Sequence, residues 1–481
     1  MQDTFYWHDY ETFGADPSRD RPSQFAGLRT DFELNVIGEP LVLFCQPQPD
    51  ILPSPEACLV TGITPQHALH HGVPEPEFMA NIYHQLAMPR TCGVGYNSIR
   101  FDDEVTRYGL YRNFYDPYQR EWQNGNSRWD IIDLLRVTHA LRPKGIEWPE
   151  HSPGSPSFKL EHLTQANGID HDAAHDALSD VTATIGMAKL VKQLQPNLFD
   201  YVLGNRGKQA VSKLVNSTQR RPFFHCSGML PRDSLYSAIM MPLAPHPTNN
   251  NGVICFDLSA DPERLIKLDS EEIQKRLFTR SEDLADGVER LPLKVVHLNK
   301  APVVCTPKVV DSSVSKRLNI DMQRCEKHWQ RLTEVDLQTK LQAVFASPPL
   351  ASTSEAEQQL YQGFLSNQDK PLLRQVREAK SADFKQQHFC FSDTRYNQLL
   401  FNYRARYFPE TLSANDQELW SENCRWRLTD SQSGYLTIEQ QKSDISACLS
   451  DPDLSQDKVA VLKDLQAWNL SVAEQFGLNA L

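Results

Sequence analysis

Three short acidic signatures in the first 180 residues carry side chains suited to holding hard cations and moving a proton. Asp9 and Glu11 stand two apart in the run Phe5-Tyr-Trp-His-Asp-Tyr-Glu-Thr-Phe13. On a strand, side chains at i and i+2 point to one face, so both carboxylates would aim at one spot. Like charges side by side are costly unless a cation neutralises them, and such oxygen ligands suit Mg²⁺ or Mn²⁺. Taken alone, Asp-x-Glu is a common triplet better explained as two solvated acids on an exposed edge strand. Asp102 ends the run Gly95-Tyr-Asn-Ser-Ile-Arg-Phe-Asp102, with Asp103 beside it. A strand ending at Tyr96 would bring Asp102 above the strand of Asp9, whereas a capping or dipole-satisfying role at a helix start explains it equally well. The third signature, His175-Asp-Ala-Leu-Ser-Asp180, enters a helical run through Ile185. Five helical residues turn about 500°, which would leave two side chains at this spacing about 140° apart. His175 therefore has to precede or open the helix to share a site with Asp180. There it would take a proton from water beside a cation, or else be simply an N-terminal histidine near a surface aspartate.

The elements that must position these groups are of both kinds. Phe5 to Phe13, Leu41 to Cys45 and Thr91 to Tyr96 read as strands, and Phe78 to Leu86 and Ile131 to Ala140 as amphipathic helices, so residues 1–195 form a layered α/β domain. Pro143, Gly145, Pro149, Pro153, Gly154 and Pro156 mark a surface loop before a helix begins in Phe158 to Leu163. A further helix runs from Val181 to Leu194 and is stopped by Pro196. Residues 196–350 carry strand-like runs at Phe223 to Cys226, Gly252 to Leu258 and Leu293 to Leu298, a β-rich domain with helical insertions. Residues 351–481 have helical spacing, clearest from Asp457 to Phe476.

A chain of 481 residues is long enough for two or three domains. Its 40% hydrophobic, 23% charged composition excludes fibrous and disordered classes. The N-terminus lacks a secretory pattern and no apolar run would span a bilayer, so a soluble, cytoplasmic protein without membrane contact is expected. Ten cysteines without zinc-ligand spacing read as reduced, mostly buried thiols. The net charge of −12 argues mildly against coating nucleic acid by bulk electrostatics but leaves room for a local basic groove.

Together the three signatures, in this order, resemble the DEDDh family of 3′→5′ exonucleases. The resemblance implies a ribonuclease H-like fold in which Asp9, Glu11, Asp102 and Asp180 hold two Mg²⁺ ions, with Mn²⁺ able to substitute, and His175 is the general base. The runs His8-Asp-Tyr-Glu-Thr-Phe-Gly14, Gly62-Ile-Thr-Pro65, Phe101-Asp-Asp-Glu-Val-Thr-Arg107, Tyr111-Arg-Asn-Phe-Tyr-Asp-Pro117 and Leu400-Phe-Asn-Tyr-Arg-Ala-Arg406 extend the likeness to the bacterial exodeoxyribonuclease I family. That family implies an SH3-like middle domain, a helical C-terminal domain, and a C-shaped monomer around single-stranded DNA. It further implies processive release of 5′-mononucleotides, and a role in repair and recombination, including mismatch excision.

Single-strand binding combines cations on phosphates with aromatic faces on bases, for which Arg107, Tyr118, Trp122, Arg128, Arg142, Phe158 and Lys159 are candidates. Packing explains Trp122 and Phe158 equally well. Arg206, Lys208, Lys213, Arg220 and Arg221 form an acid-free stretch that is either a solvated face or a DNA-guiding surface. The family also resembles partners of the single-stranded DNA-binding protein, whose acidic C-terminal tail would meet Tyr201, Lys316, Arg317, Arg324 and Arg331. An RNA-directed relative and a non-catalytic single-strand-binding scaffold are the competing readings; the filled catalytic positions argue against the scaffold, and no residue discriminates the 2′ hydroxyl.

Overall fold

A computed structural model describes residues 3–152, 154–171, 175–346, 353, 355–387 and 389–478. The expected boundary at 350/351 lies outside them. The described residues fall into two compact units, one drawn from 1–126, 172–182 and 351–481, the other from 127–171 and 183–350.

In the first unit the aromatic run forms β1 (Thr4–Thr12), paired antiparallel with β2 (Pro22–Asp31) and parallel with β4 (Thr91–Gly95). With β3 (Leu41–Phe44) beside β2, the order is β3-β2-β1-β4. Three helices, α1 (Pro55–Thr61), α2 (Pro65–His71) and α3 (Glu75–Leu86), each begin with proline in the first turn, where its missing N–H costs nothing. They are followed by α4 (Asp102–Arg112). Alternation along β1 sends Tyr6 and Tyr10 into a core with Phe25, Phe78, Met79, Ile82 and Val105. Asp9 and Glu11 fall on the opposite face.

The second unit begins with β5 (Ser127–Asp130) and α5 (Ile131–Leu141). The proline- and glycine-rich stretch holds a short hairpin, β6 (Glu150–Ser152) and β7 (Ser155–Pro156). The helix expected from Phe158 is α6 (Leu160–Ala166); α7 (Ala177–Leu194), whose residues up to Thr182 belong to the first unit, α8 (Pro196–Gly204) and α9 (Lys208–Leu214) follow. Pro196 both ends the α7 run and opens α8. A second, antiparallel sheet comprises β8 (Phe223–Cys226), β9 (Ser237–Pro245), β10 (Gly252–Asp257), β11 (Leu293–His297) and β12 (Val303–Cys305), in the order β11-β10-β9-β8-β12. Helices α10 (Glu263–Lys267) and α11 (Ser270–Phe278) are inserted before β11, and α12 (Ser312–Arg317), α13 (Met322–Thr333) and α14 (Gln338–Val344) close the unit.

The C-terminal helices α15 (Lys370–Glu378), α16 (Ser381–Gln386), α17 (Thr394–Tyr407), α18 (Ala414–Thr429), α19 (Ile438–Leu449) and α20 (Gln456–Gln475) return to the first unit. Leu373, Val376, Tyr396 and Leu399 pack around Tyr108, Tyr111 and Phe114, while Ile445, Leu462 and Leu465 cover Phe13, Cys58 and Ile63. A buried ionic network joins the same segments. Arg21 meets Glu357, Arg406 bridges Asp50 (2.6 Å) and Glu357 (2.5 Å), and Arg427 bridges Asp50 (2.5 Å) and Glu355 (2.6 Å). Burial alone would raise Asp50 and Glu357, but Arg406 and the other guanidinium groups outweigh it and hold both below the usual carboxylate range.

All ten cysteines are free, with Cys390 exposed, Cys448 half-buried and the others buried. Among the described residues no helix is long and apolar enough to cross a membrane.

Candidate active site

Parallel pairing of β1 with β4 stops at Trp7 and Val94, so the half of β1 bearing Asp9 and Glu11 runs past the end of β4. The chain leaving β4 must turn sharply there. Gly95 permits it: a Cβ at this position would lie 2.6 Å from the Ser98 Cβ and 2.8 Å from the His8 carbonyl oxygen. The turn delivers Asp102 to the first position of α4, where its Oδ1 accepts the Tyr10 backbone N–H at 3.0 Å. Asp102 is thereby fixed between the two acids of β1. Its neighbour Asp103 is committed elsewhere, to a buried ion pair with Arg120 at 2.5 Å.

The fourth acid comes from the first turn of α7, and His175 precedes that helix with φ +68°. A non-glycine residue in the left-handed region is uncommon, and here it lets the imidazole turn back toward Asp180. Ligand atoms of Glu11, His175 and Asp180 all lie within 4.8 Å of one another. Burial, with Asp102, Glu11, Asp180 and Asp176, pushes the Asp9 carboxyl well up. Burial and the charges of Asp180, Asp102 and Asp176 push Glu11 to about 8. Carboxylates that raise one another in this way form a ready oxygen cage for divalent cations, and the donor set fits Mg²⁺ or Mn²⁺.

Two contributors were not singled out from the sequence. Gln24, opposite Glu11 on β2, clasps the start of α7: its Oε1 accepts the Ala177 N–H (3.2 Å) and its Nε2 donates to Asp176 (3.2 Å). Asp176 caps the Ser179 N–H at 3.1 Å and adds a fifth negative charge. Asp176 lies within the His175–Asp180 signature, but nothing in the sequence links Gln24 to a residue 152 positions later.

The nucleic-acid candidates divide by exposure. Trp122 is 65% exposed. Tyr118 is half-buried against Phe364, itself 87% exposed. Arg107 is buried, with both ends held by Glu121 (2.7 and 3.0 Å) and Glu104 (2.7 Å), and it stacks over Tyr118. In the second unit Arg128 is buried and donates to the Asn299 carbonyl at 2.9 Å, and Phe158 is buried among His139, Trp148 and Tyr236. Arg142 is exposed, and Lys159 is exposed beside Glu161 at 3.5 Å. Lys208, Lys213 and Arg221 are exposed, whereas Arg206 bonds Ser127 and Arg220 bonds the Leu332 and Val335 carbonyls.

Of the partner candidates, Tyr201 lines a cleft of about 440 Å³ with Leu141, Arg142, Leu194, Pro196 and Leu198. Arg317 donates to the Ala140 carbonyl (2.5 Å), and burial together with the Arg142 charge lowers its pKa. Lys316 and Arg324 are exposed, and Arg331 is paired with Glu263 (2.7 Å) and Glu334 (3.2 Å).

Comparison with known proteins agrees across the chain. Family models described as Exonuclease, Exonuclease I SH3-like domain and Exonuclease I C-terminal domain match residues 6–188, 206–347 and 354–472. Exodeoxyribonuclease I of Escherichia coli strain K12 is 45% identical over 473 residues, 97% of each chain. A moderately thermophilic exonuclease I from Methylocaldum szegediense superposes with TM-score 0.94 at 47% identity, covering 98% of this chain and 99% of that one. The zinc-bound E. coli exonuclease I complex with single-stranded DNA superposes with TM-score 0.93 at 44% identity, covering 98% and 100%. The architecture is thus an α/β exonuclease domain followed by SH3-like and helical C-terminal domains. With the acidic cluster at the end of β1 and likeness along the whole length, the chain belongs to the bacterial exodeoxyribonuclease I family.

Proposed function

We propose that this enzyme removes 5′-mononucleotides one at a time from the 3′ end of single-stranded DNA, with Asp9, Glu11, Asp102 and Asp180 as ligands for two Mg²⁺ ions. The observation that carries this reading is the crowding of four carboxylates and His175 at the end of β1. Bound cations would supply the charge neutralisation and Lewis acidity that phosphodiester hydrolysis requires. His175, exposed on its loop, takes the proton of the attacking water and returns it to solvent. The water oxygen bonds to phosphorus as the bond to the 3′ oxygen of the penultimate nucleotide breaks; that oxygen takes up a proton from solvent and stays on the shortened strand as a 3′ hydroxyl, and the 5′-phosphate leaves on the released unit. Asp102, held by the Tyr10 amide, keeps its place throughout.

The zinc-bound relative in complex with single-stranded DNA supports single-stranded DNA as the substrate and a bound divalent ion. Trp122 offers one stacking face and Tyr118, with Phe364 beside it, another, and Arg107 acts by holding Tyr118 and not by meeting phosphate. Arg142 and Lys159 are exposed and would meet phosphate at the surface, Lys159 by leaving Glu161, whereas Arg128 and Phe158 serve from within by supporting the walls. The apolar cleft beside Tyr201, with Arg142 and Arg317 near it, fits an acidic tail ending in apolar residues, such as that of the single-stranded DNA-binding protein. Lys316 and Arg324 would extend its basic rim. Processive action by a cytoplasmic monomer in DNA repair completes the reading.

The decisive experiment digests single-stranded DNA, duplex DNA and single-stranded RNA, each labelled at one end, with Mg²⁺ and with chelator. Mononucleotides from the 3′ end of single-stranded DNA alone, abolished by chelator, are expected. Asp180→Asn should lower turnover by orders of magnitude while leaving the thermal transition in place, and near-normal activity in that variant would overturn the site.

A further inference from the structure

The exposed face of α2 carries a histidine cluster that the proposed reaction does not use. In Pro65-Gln-His-Ala-Leu-His-His71, His67 and His71 are four apart and share one helix face. Their rings lie 4.3 Å apart, tilted by 32°. The Nδ1 of His71 is 3.0 Å from the His67 carbonyl oxygen. A carbonyl only accepts, so Nδ1 carries a proton, and in the neutral ring Nε2 then keeps its lone pair. A hydrogen bond on the other ring nitrogen is what orients metal-bound imidazoles elsewhere. The His67 ring is braced edge-on by Phe44 at 4.8 Å. The helix beneath is firmly seated: Ala68 is buried, Thr64 caps the His67 N–H, and Gln66 donates to the Asp464 carbonyl of α20 at 2.6 Å.

We propose that His67 and His71 form a second cation site, selective for Zn²⁺, Ni²⁺ or Cu²⁺ and separate from the acidic cluster. Two imidazoles at i and i+4 on a helix are the arrangement by which helices grip zinc. Imidazole prefers these borderline metals, whereas the four carboxylates around Asp9 suit Mg²⁺. His70 meets His71 edge-on at 4.7 Å and is not part of the pair. Among the described residues, three-membered ligand clusters are confined to Glu11, His175 and Asp180, so water completes the coordination on α2 and the ion exchanges readily.

The test is Ni²⁺ titration calorimetry on the full chain in excess Mg²⁺, which occupies the acidic cluster without competing for imidazole. One Ni²⁺ should bind to the unaltered protein and to Glu11→Gln and His70→Ala, with His67→Ala and His71→Ala each weakened at least about tenfold. His71→Asn, which keeps a polar surface residue there, should behave like His71→Ala, and Mg²⁺-supported nuclease activity should be the same in all three of these pair variants. Binding undiminished in the pair variants, or lost equally in His70→Ala, or abolished by Glu11→Gln, overturns the proposal.

Discussion

Glu11 is held between two opposing demands, since burial and three neighbouring aspartates favour its protonated form while the cation-ligand role proposed for it requires the anion. Its folded pKa of about 8 stands above the ordinary 4.5, so the metal-free fold binds more protons than the unfolded chain between those values. Stability of the metal-free protein is therefore present below about 4.5 and falls as pH rises toward 8, by on the order of a few kcal/mol. Thermal unfolding across that range should show the decline, Glu11→Gln should flatten it, and added Mg²⁺ should reverse it at high pH. At this scale much could be read in advance: the two-residue spacing of Asp9 and Glu11 alone dictates a shared face, and helical geometry alone requires His175 to precede α7. Arg107 shows the limit, because its partners Glu104 and Glu121 take up its charge and only the folded chain brings all three together.

At the scale of elements, the site depends on how tightly β1, β4 and α7 approach. Gly95→Ala would drive a methyl group into Ser98 and the His8 carbonyl, costing roughly 1–3 kcal/mol and displacing Asp102. Urea denaturation should report the first effect, and a fall in turnover the second. Gln24→Ala releases the start of α7 and should lower turnover roughly 10- to 100-fold with the fold intact, as loss of a supporting hydrogen bond does at metal sites. The strands that alternate cleanly were visible in the sequence, β1 nearly to its ends. β2 was not: it begins with Pro22, is buried on both faces so that polar alternation is lost, and contains Gly27, where a Cβ would strike the Tyr6 hydroxyl. β9 was hidden in the same way, buried along nearly its whole length with Pro242 in its middle.

At the scale of the molecule, the first unit is joined across more than 300 residues of sequence by charges that have left water. Removing one partner strands the others, so Arg427→Met should cost about 3–5 kcal/mol, measured as a lowered thermal transition. The folded pKa values of Asp50 and Glu357 are depressed, so their contribution is present above the ordinary carboxylate range and lost as pH falls through the lower folded values. Acid titration of Glu357→Gln should show a shallower loss than the parent. No local pattern announces such pairing, which is why helical spacing from 370 onward revealed the helices but not the surface they cover.

The shared interior of the first unit bears on any attempt to miniaturise the enzyme. A fragment ending near Pro196 would open Phe13, Cys58, Tyr108 and Phe114 to solvent and leave Arg21 and Asp50 facing vacant positions in a greasy wall. Trimming from the C-terminus therefore demands a redesigned surface in place of α15–α20. The catalytic segment is not a cassette that can be lifted out and pasted onto another scaffold.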